Sequence, residues 1–222
     1  MEPRLTDIDR REALGYLGYR GTGLTEELRG DLERCAKEIL HTARPRAVWR
    51  EFPWEPGEPL RGTELTLPGR DVRDLLRESD RVILFGATLG SEVERLLRRA
   101  QVRNMADAVM LDACASAAIE NVCDNRCLDL AEELGCCLTD RFSPGYGDLP
   151  FSLQGDFCAV LDLGRRIGVS LSPGGLMIPQ KTVTALMGTA KTPQPMRFRG
   201  CAHCNLFETC TYRKEMRTCA DA

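Results

Sequence analysis

The sequence predicts one compact domain of mixed helices and strands, with appendages. Three observations carry this reading. A helix pattern runs from about Met105 to Glu133, strand-like runs lie at Arg81–Ala87 and Pro179–Met187, and 222 residues with 43% hydrophobic content suffice for one full-sized core.

The elements follow in order. Leu24-Thr25-Glu26-Glu27-Leu28 opens a helix to about Thr42, with Thr25 as its cap and Leu28, Leu32, Cys35 and Ile39 inward at helical spacing. From Ala47 to Leu67 the pattern shortens to Trp, Phe, Gly and Thr, which reads as short strands and turns. Pro53, Pro56, Pro59 and Pro68 forbid a long helix there. The strand Arg81–Ala87 leads through a turn at Gly90 into a helix for which Ser91 and Glu94 are spaced as a capping box. The glycines of that turn fit neither a dinucleotide fingerprint nor a P-loop, so it reads as a close-packed turn. In the long helix, Ala106, Val109, Met110, Ala113 and Ala117 mark an apolar face, and Asp112, Ser116, Glu120, Cys123 and Cys127 a polar side. A helix near Ser152–Asp162, a turn at Ser172–Gly175 and the strand Pro179–Met187 follow.

Composition narrows the class of partner. A net charge of -3 and a pI near 5.6 leave no global footprint for nucleic acid. No apolar run approaches the ~20 residues of a membrane span, and Met1-Glu2-Pro3-Arg4 does not read as a signal peptide. Eleven cysteines in that context are expected to be reduced thiols of a cytoplasmic protein, some of them metal ligands.

The tail from Pro193 concentrates that expectation. Cys201, Cys204, Cys210 and Cys219 stand in a C-x2-C-x5-C-x8-C pattern whose first pair forms a bidentate knuckle; the set suits zinc or an iron–sulfur cluster. His203 is a lesser candidate, and Cys123, Cys127, Cys136 or Cys137 stands as an alternative to Cys219. Arg197, Arg199, Arg213, Lys214 and Arg217 make the tail basic, either a solvated run or a patch that steers an acidic donor; Arg95, Arg98, Arg99 and Arg103 form a second set on one helix.

The segment RFSPGYGDLP, Arg141–Pro150, carries the ligand chemistry. It sets a guanidinium three residues before a Pro-Gly-Tyr turn. Gly145 lacks a Cβ and lets a ligand approach the main chain, while Pro144 and Pro150 stiffen the loop. An arginine beside bare backbone suits a small carboxylate, and an acidic group on the long helix suits an ammonium.

This segment resembles the RxxPGY signature of the reactivation domain of cobalamin-dependent methionine synthase, a domain that binds S-adenosylmethionine (SAM). The DACASAAIE stretch of the long helix and MIPQKTVTALMG, similar to a P-x-K-S-V-S-G element, extend the resemblance over Leu65 to Met187, and LGYRG near the N-terminus looks like that of stand-alone relatives. The resemblance implies an α+β fold, a twisted, mainly antiparallel sheet flanked by helices, with three parts. These are an N-terminal helical and β extension (1–64), a SAM-binding domain (65–192) and a cysteine-rich metal-binding tail (193–222).

It also implies a site. Arg141 holds the SAM carboxylate, Tyr146 presents its ring to sulfonium or adenine, main-chain groups around Ser143 and Gly145 read the adenine edge, and Glu120 and Asp112 supply acidic contacts. Lys181, Thr182 and Thr184 either close the site or belong to a plain strand. No cobalamin-, folate- or homocysteine-binding module is recognised, so the resemblance implies reductive methylation of a corrinoid protein, such as a methionine synthase subunit, in trans. Cob(II)alamin then requires an electron from a flavodoxin- or ferredoxin-type donor, which tips the tail toward iron–sulfur over redox-silent zinc. A second reading is a non-catalytic metal module that docks a corrinoid protein and senses SAM or redox state.

Overall fold

The computed structural model describes residues 3–19 and 23–194. The chain runs through α1 (Arg10–Tyr16), α2 (Glu26–Thr42), β1 (Arg46–Pro53), α3 (Arg70–Leu75), β2 (Arg81–Thr88), α4 (Ser91–Arg103) and α5 (Met105–Leu134). It continues through β3 (Cys137–Leu138), a 3-10 turn at Phe151–Leu153, α6 (Gln154–Leu161), α7 (Leu163–Ile167), β4 (Ser170–Leu171), β5 (Met177–Ile178) and β6 (Thr182–Ala190). The main sheet has the order β1-β2-β6-β3 with antiparallel neighbours throughout, and β4 and β5 form a separate hairpin.

Successive residues of β2 face opposite sides of the sheet. Ile83, Phe85 and Ala87 enter a core shared with α1, α2, α4 and α5; Val82 and Leu84 enter a second core with Phe157, Leu161 and Leu163 of the α6–α7 side. Coverage on both faces explains why β2 reads as an unbroken apolar run, every residue after Arg81 being buried. The antiparallel sheet flanked by helices is the expected α+β architecture.

Local signals hold where the side chain acts on its own turn. The Thr25 side chain accepts the amide of Leu28 and starts α2, and Leu32, Cys35 and Ile39 are buried as its periodicity requires. Gly135, left-handed at φ 62°, ends α5. Helix α1, missed in the sequence, is capped by the Asp9 side chain, which accepts from Arg11 and Glu12 amides. Asp9 followed three residues later by Glu12 is the signal that identifies it.

Several expectations are corrected. The Ser91–Glu94 capping box does not form: Gly90, at φ 89°, is the N-cap without a side-chain bond, and Glu94 instead accepts the amide of Gln180 at 3.0 Å and pairs with Arg98. The stretch 47–67 holds a single strand, β1, which begins one residue earlier at Arg46, and the described chain after Pro53 runs in turns to α3. The helix expected at Ser152–Asp162 is split into the 3-10 turn and α6, and Asp162 turns left-handed at φ 51°. On α5, Ala106 and Val109 are exposed while Cys123 is fully buried, so neither the apolar face nor the polar side is a single stripe. The reason is that α5 packs against α1, α2, α4 and the sheet at once, so most of its circumference is interior.

Candidate ligand site

The chain that leaves β3 keeps pairing with β6. Gly188 donates its amide to Thr139 Oγ1 at 2.8 Å, and Phe142 and Leu186 exchange amide–carbonyl bonds at 3.0 and 2.8 Å. Phe142 enters the second core, so strand alternation turns Arg141 to the opposite face, toward α5. There Arg141 Nη2 donates to Glu120 Oε2 at 2.7 Å and Nη1 to Asp124 Oδ1 at 2.6 Å. Glu120 and Asp124 sit one helical turn apart and form a two-carboxylate receptor for the guanidinium, whose side chain is only 12% exposed.

The loop after Arg141 is built from its own backbone bonds. The Gly145 amide donates to Leu149 O at 2.9 Å and the Tyr146 amide to Ser143 O at 3.0 Å, so these two groups already have partners. Gly145 and Gly147 adopt φ values of 94° and 49°, and a Cβ on Gly147 would run into the Asp71 carboxylate. The Tyr146 ring lies 6.4 Å from that of Phe142, tilted, and stays 60% exposed at the mouth of the site. Asp148 ties the loop to the start of α3 by accepting the amides of Arg70 and Asp71.

A second polar node lies further along α5. Lys181 Nζ pairs with Asp112 Oδ1 at 2.9 Å and donates to Ser116 Oγ at 2.8 Å. Asp112 is therefore the partner of Lys181, two turns and about 12 Å along the helix axis from Glu120. Thr182 and Thr184 are buried strand residues: Thr182 donates to Pro179 O, and Thr184 Oγ1 accepts from Gln154.

Helix α1 supplies groups that the sequence did not announce. Burial pushes the Glu12 carboxyl up to about 7, and the charges of Glu120, Asp124 and Asp9 add to the rise while Arg141 opposes it. Burial likewise raises the Tyr16 phenol, with Glu120, Glu12 and Tyr146 contributing. Two carboxylates thus bond one guanidinium, and the Glu12 carboxyl is close enough to feel the charges of all three. Tyr16 also borders a shallow groove with Met105, Val109, Asp112 and Ser116, the last two being the partners of Lys181.

Among the described residues, no group of three or more His, Cys, Asp or Glu side chains is placed to hold a metal. Cys201, Cys204, Cys210 and Cys219 lie outside the described residues. Of the alternatives to Cys219, Cys123 is fully buried, and burial raises its thiol well above the ordinary range, whereas Cys127 is partly exposed. Among the described residues no helix is long and apolar enough to cross a membrane.

No protein-family model and no curated protein sequence matches the chain. By structure it is similar to the crystal structure of the MetH reactivation domain bound to AdoHcy, with a TM-score of 0.60 and 14% identity, over 96% of this chain and 82% of that one. The likeness spans nearly the whole chain at low identity, and what it establishes is the fold: an antiparallel sheet flanked by helices, as in that reactivation domain.

Proposed function

We propose that this protein binds SAM at the Arg141 node and supports reductive methylation of a corrinoid protein, such as a cobalamin-bearing methionine synthase subunit, in trans. The observation that carries the reading is the pairing of Arg141 with Glu120 and Asp124. The amino-acid end of SAM is a carboxylate beside an ammonium, which is the charge complement of a guanidinium beside carboxylates. On binding, Arg141 takes the ligand carboxylate and Glu120 the ammonium, each exchanging one charge-assisted bond for another. The Tyr146 ring then faces the sulfonium or adenine, a contact of roughly 0.5–2 kcal/mol. Ser143 and Gly145 shape the loop against the adenine, and Asp112 holds Lys181 at the far end of the groove. The structurally similar MetH domain was crystallised with AdoHcy, the molecule SAM becomes on losing its methyl group, which supports this ligand class.

The chemistry asks the protein for position and not for a proton shuttle. One electron reduces cob(II)alamin to cob(I)alamin, the cobalt of the partner attacks the SAM methyl, the S–CH3 bond breaks, the Co–CH3 bond forms and AdoHcy leaves. Side chains that fix the sulfonium in line with that attack supply the catalysis. A flavodoxin- or ferredoxin-type donor belongs to the electron supply, and so do the tail cysteines if they hold an iron–sulfur cluster; a zinc site there is structural. Calorimetric titration with SAM and AdoHcy, followed by a methylcobalamin assay with a cob(II)alamin protein and reductant, tests the proposal. Failure of both ligands to bind overturns it.

A further inference from the structure

Phe151 opens the 3-10 turn that follows the ligand loop; it is 47% exposed and belongs to neither core. Its ring nevertheless has a defined seat. The Cδ2 edge faces Gly145, where a Cβ would stand 3.5 Å away, and Cε1, on the opposite edge, faces Gly175, where a Cβ would stand 3.2 Å away. Both glycines are left-handed, at φ 94° and 79°. Gly145 lies at the crest of the ligand loop and Gly175 in the turn between β4 and β5. The room that these two residues leave by lacking a Cβ is the room the ring fills.

The ligand loop is anchored at its ends. Phe142 pairs with Leu186 and enters the second core, Leu149 is buried in the same core, and Asp148 holds the start of α3. Gly145 and Tyr146 stand between these anchors, and Phe151 backs that crest. The tip of the β4–β5 hairpin closes on Ser172. The Ser172 amide donates to Leu176 O, its carbonyl accepts the Gly175 amide, and its Oγ accepts the Leu176 amide. Phe151 is thus a wedge between two turns that are distant in sequence, one of which carries Tyr146.

We propose that Phe151 is a positioning residue for the ligand: seated against Gly145 and Gly175, it fixes the backbone beside Tyr146 and with it the place of the Tyr146 ring at the mouth of the site. The role rests on the reading of the Arg141 node as a SAM site. The Tyr146 ring meets that of Phe142 at 6.4 Å, tilted, and stays 60% exposed, so side-chain packing does little to aim it and the backbone beneath it does more. Phe151 acts through Gly145 and Tyr146 and not by contact with the ligand.

Hydrogen exchange on the full chain without SAM tests the wedge. Phe151→Ala should fold, since the ring lies outside both cores. It is expected to speed exchange of the Gly145 and Gly175 amides severalfold while the Asp71 amide is unchanged; wild-type rates at both glycines overturn the proposal. Calorimetric titration then reads the ligand. Phe151→Ala is expected to weaken SAM binding about tenfold, the scale of the Tyr146 contact, and Phe151→Leu, which fills part of the seat, to weaken it less. In a Tyr146→Ala background Phe151→Ala should cost nothing more, because its effect passes through that ring. A further loss of the same size there overturns the positioning role. If the wild-type chain binds neither SAM nor AdoHcy, the reading of the Arg141 node fails and this role with it. Wild-type binding with unchanged affinity in Phe151→Ala overturns the role of Phe151 alone.

Discussion

Asp71 and Asp148 each accept a backbone amide from the other's segment: Asp148 Oδ1 accepts from the Asp71 amide at 3.2 Å, and Asp71 Oδ2 accepts from the Asp148 amide at 3.2 Å. Asp148 Oδ2 takes the Arg70 amide as well, at 2.5 Å. The exchange caps the start of α3 and holds the far end of the loop that carries Tyr146. Asp148→Ala is expected to lower stability by about 1–2 kcal/mol, the scale of a lost helix cap, and to speed amide exchange at Arg70 and Asp71. Asp148→Asn keeps one acceptor and loses less. Unchanged exchange at both amides would show that the loop is held by other contacts.

Arg141→Ala is expected to weaken SAM binding by about ten- to hundredfold, the scale of one lost charge-assisted hydrogen-bonding group. The fold should survive. Glu120 and Asp124 are 32% and 51% exposed, so water can solvate the carboxylates that the guanidinium leaves behind. Arg141→Lys rescues poorly, because one ammonium does not span two carboxylates as the fork does. Calorimetric titration with unaltered affinity in Arg141→Ala removes this residue from the site.

Glu12 gives a pH signature. Its carboxyl titrates near 7 in the folded protein against an ordinary 4.5, so the folded state binds the proton more tightly than the unfolded chain. Stability from this group is therefore present below about pH 4.5 and falls as pH rises toward 7. Glu12→Gln, which mimics the protonated form, should match wild type in acid and be more stable above pH 7, by of order 1 kcal/mol after allowing for partial exposure. Parallel thermal-unfolding curves from pH 4 to 8 would contradict this. A sulfonium ligand bound nearby favours the carboxylate, so SAM binding near pH 6 should release a proton, seen as a dependence of the calorimetric heat on buffer ionisation.

What the sequence disclosed, and what it withheld, divides by range. Thr25, Gly135 and the apolar run of β2 act on their own turn or strand, and their signals were legible. The Ser91–Glu94 spacing was equally clear but lost, because Gly90 in a left-handed conformation starts α4 and Glu94 finds a partner 86 residues away in Gln180. Arg141 and Glu120 were identified as candidates; that they bind each other, and that Asp112 binds Lys181, depends on strand alternation and on where β6 lies over α5. Glu12 was missed because a short helix carries little periodicity, and its approach to the site is set by the packing of α1 across α5.

The tail is expected to hold about one metal site per chain through Cys201, Cys204 and Cys210, since two thiolates two residues apart and a third close by form most of a tetrahedral set. Elemental analysis and a visible spectrum of anaerobically prepared protein distinguish iron–sulfur from zinc. Cys204→Ser should lose the metal; retention excludes that ligand, and a metal-free wild type from metal-replete expression refutes the site.

The last expectation joins the SAM node to the tail. Methyl transfer from SAM to cob(II)alamin is uphill until an electron arrives, and each 59 mV of one-electron potential changes the equilibrium tenfold. Methylation must therefore be coupled to reduction, and a protein that binds SAM well is inactive without that electron. Supplied with SAM, a reductant and a cognate cob(II)alamin protein, the full chain should raise the rate of methylcobalamin formation, followed by absorbance. Tyr146→Ala should slow it through misplacement of the sulfonium, with stability little changed because the ring is 60% exposed. Variants of Cys201 and Cys204 should bind SAM with wild-type affinity yet reactivate slowly with a protein donor. If they reactivate at the wild-type rate, the metal is structural and the electron enters elsewhere. If SAM binds but no cobalamin protein is methylated, the chain is a sensor that docks its partner, and the Arg141 node reports SAM without delivering its methyl group.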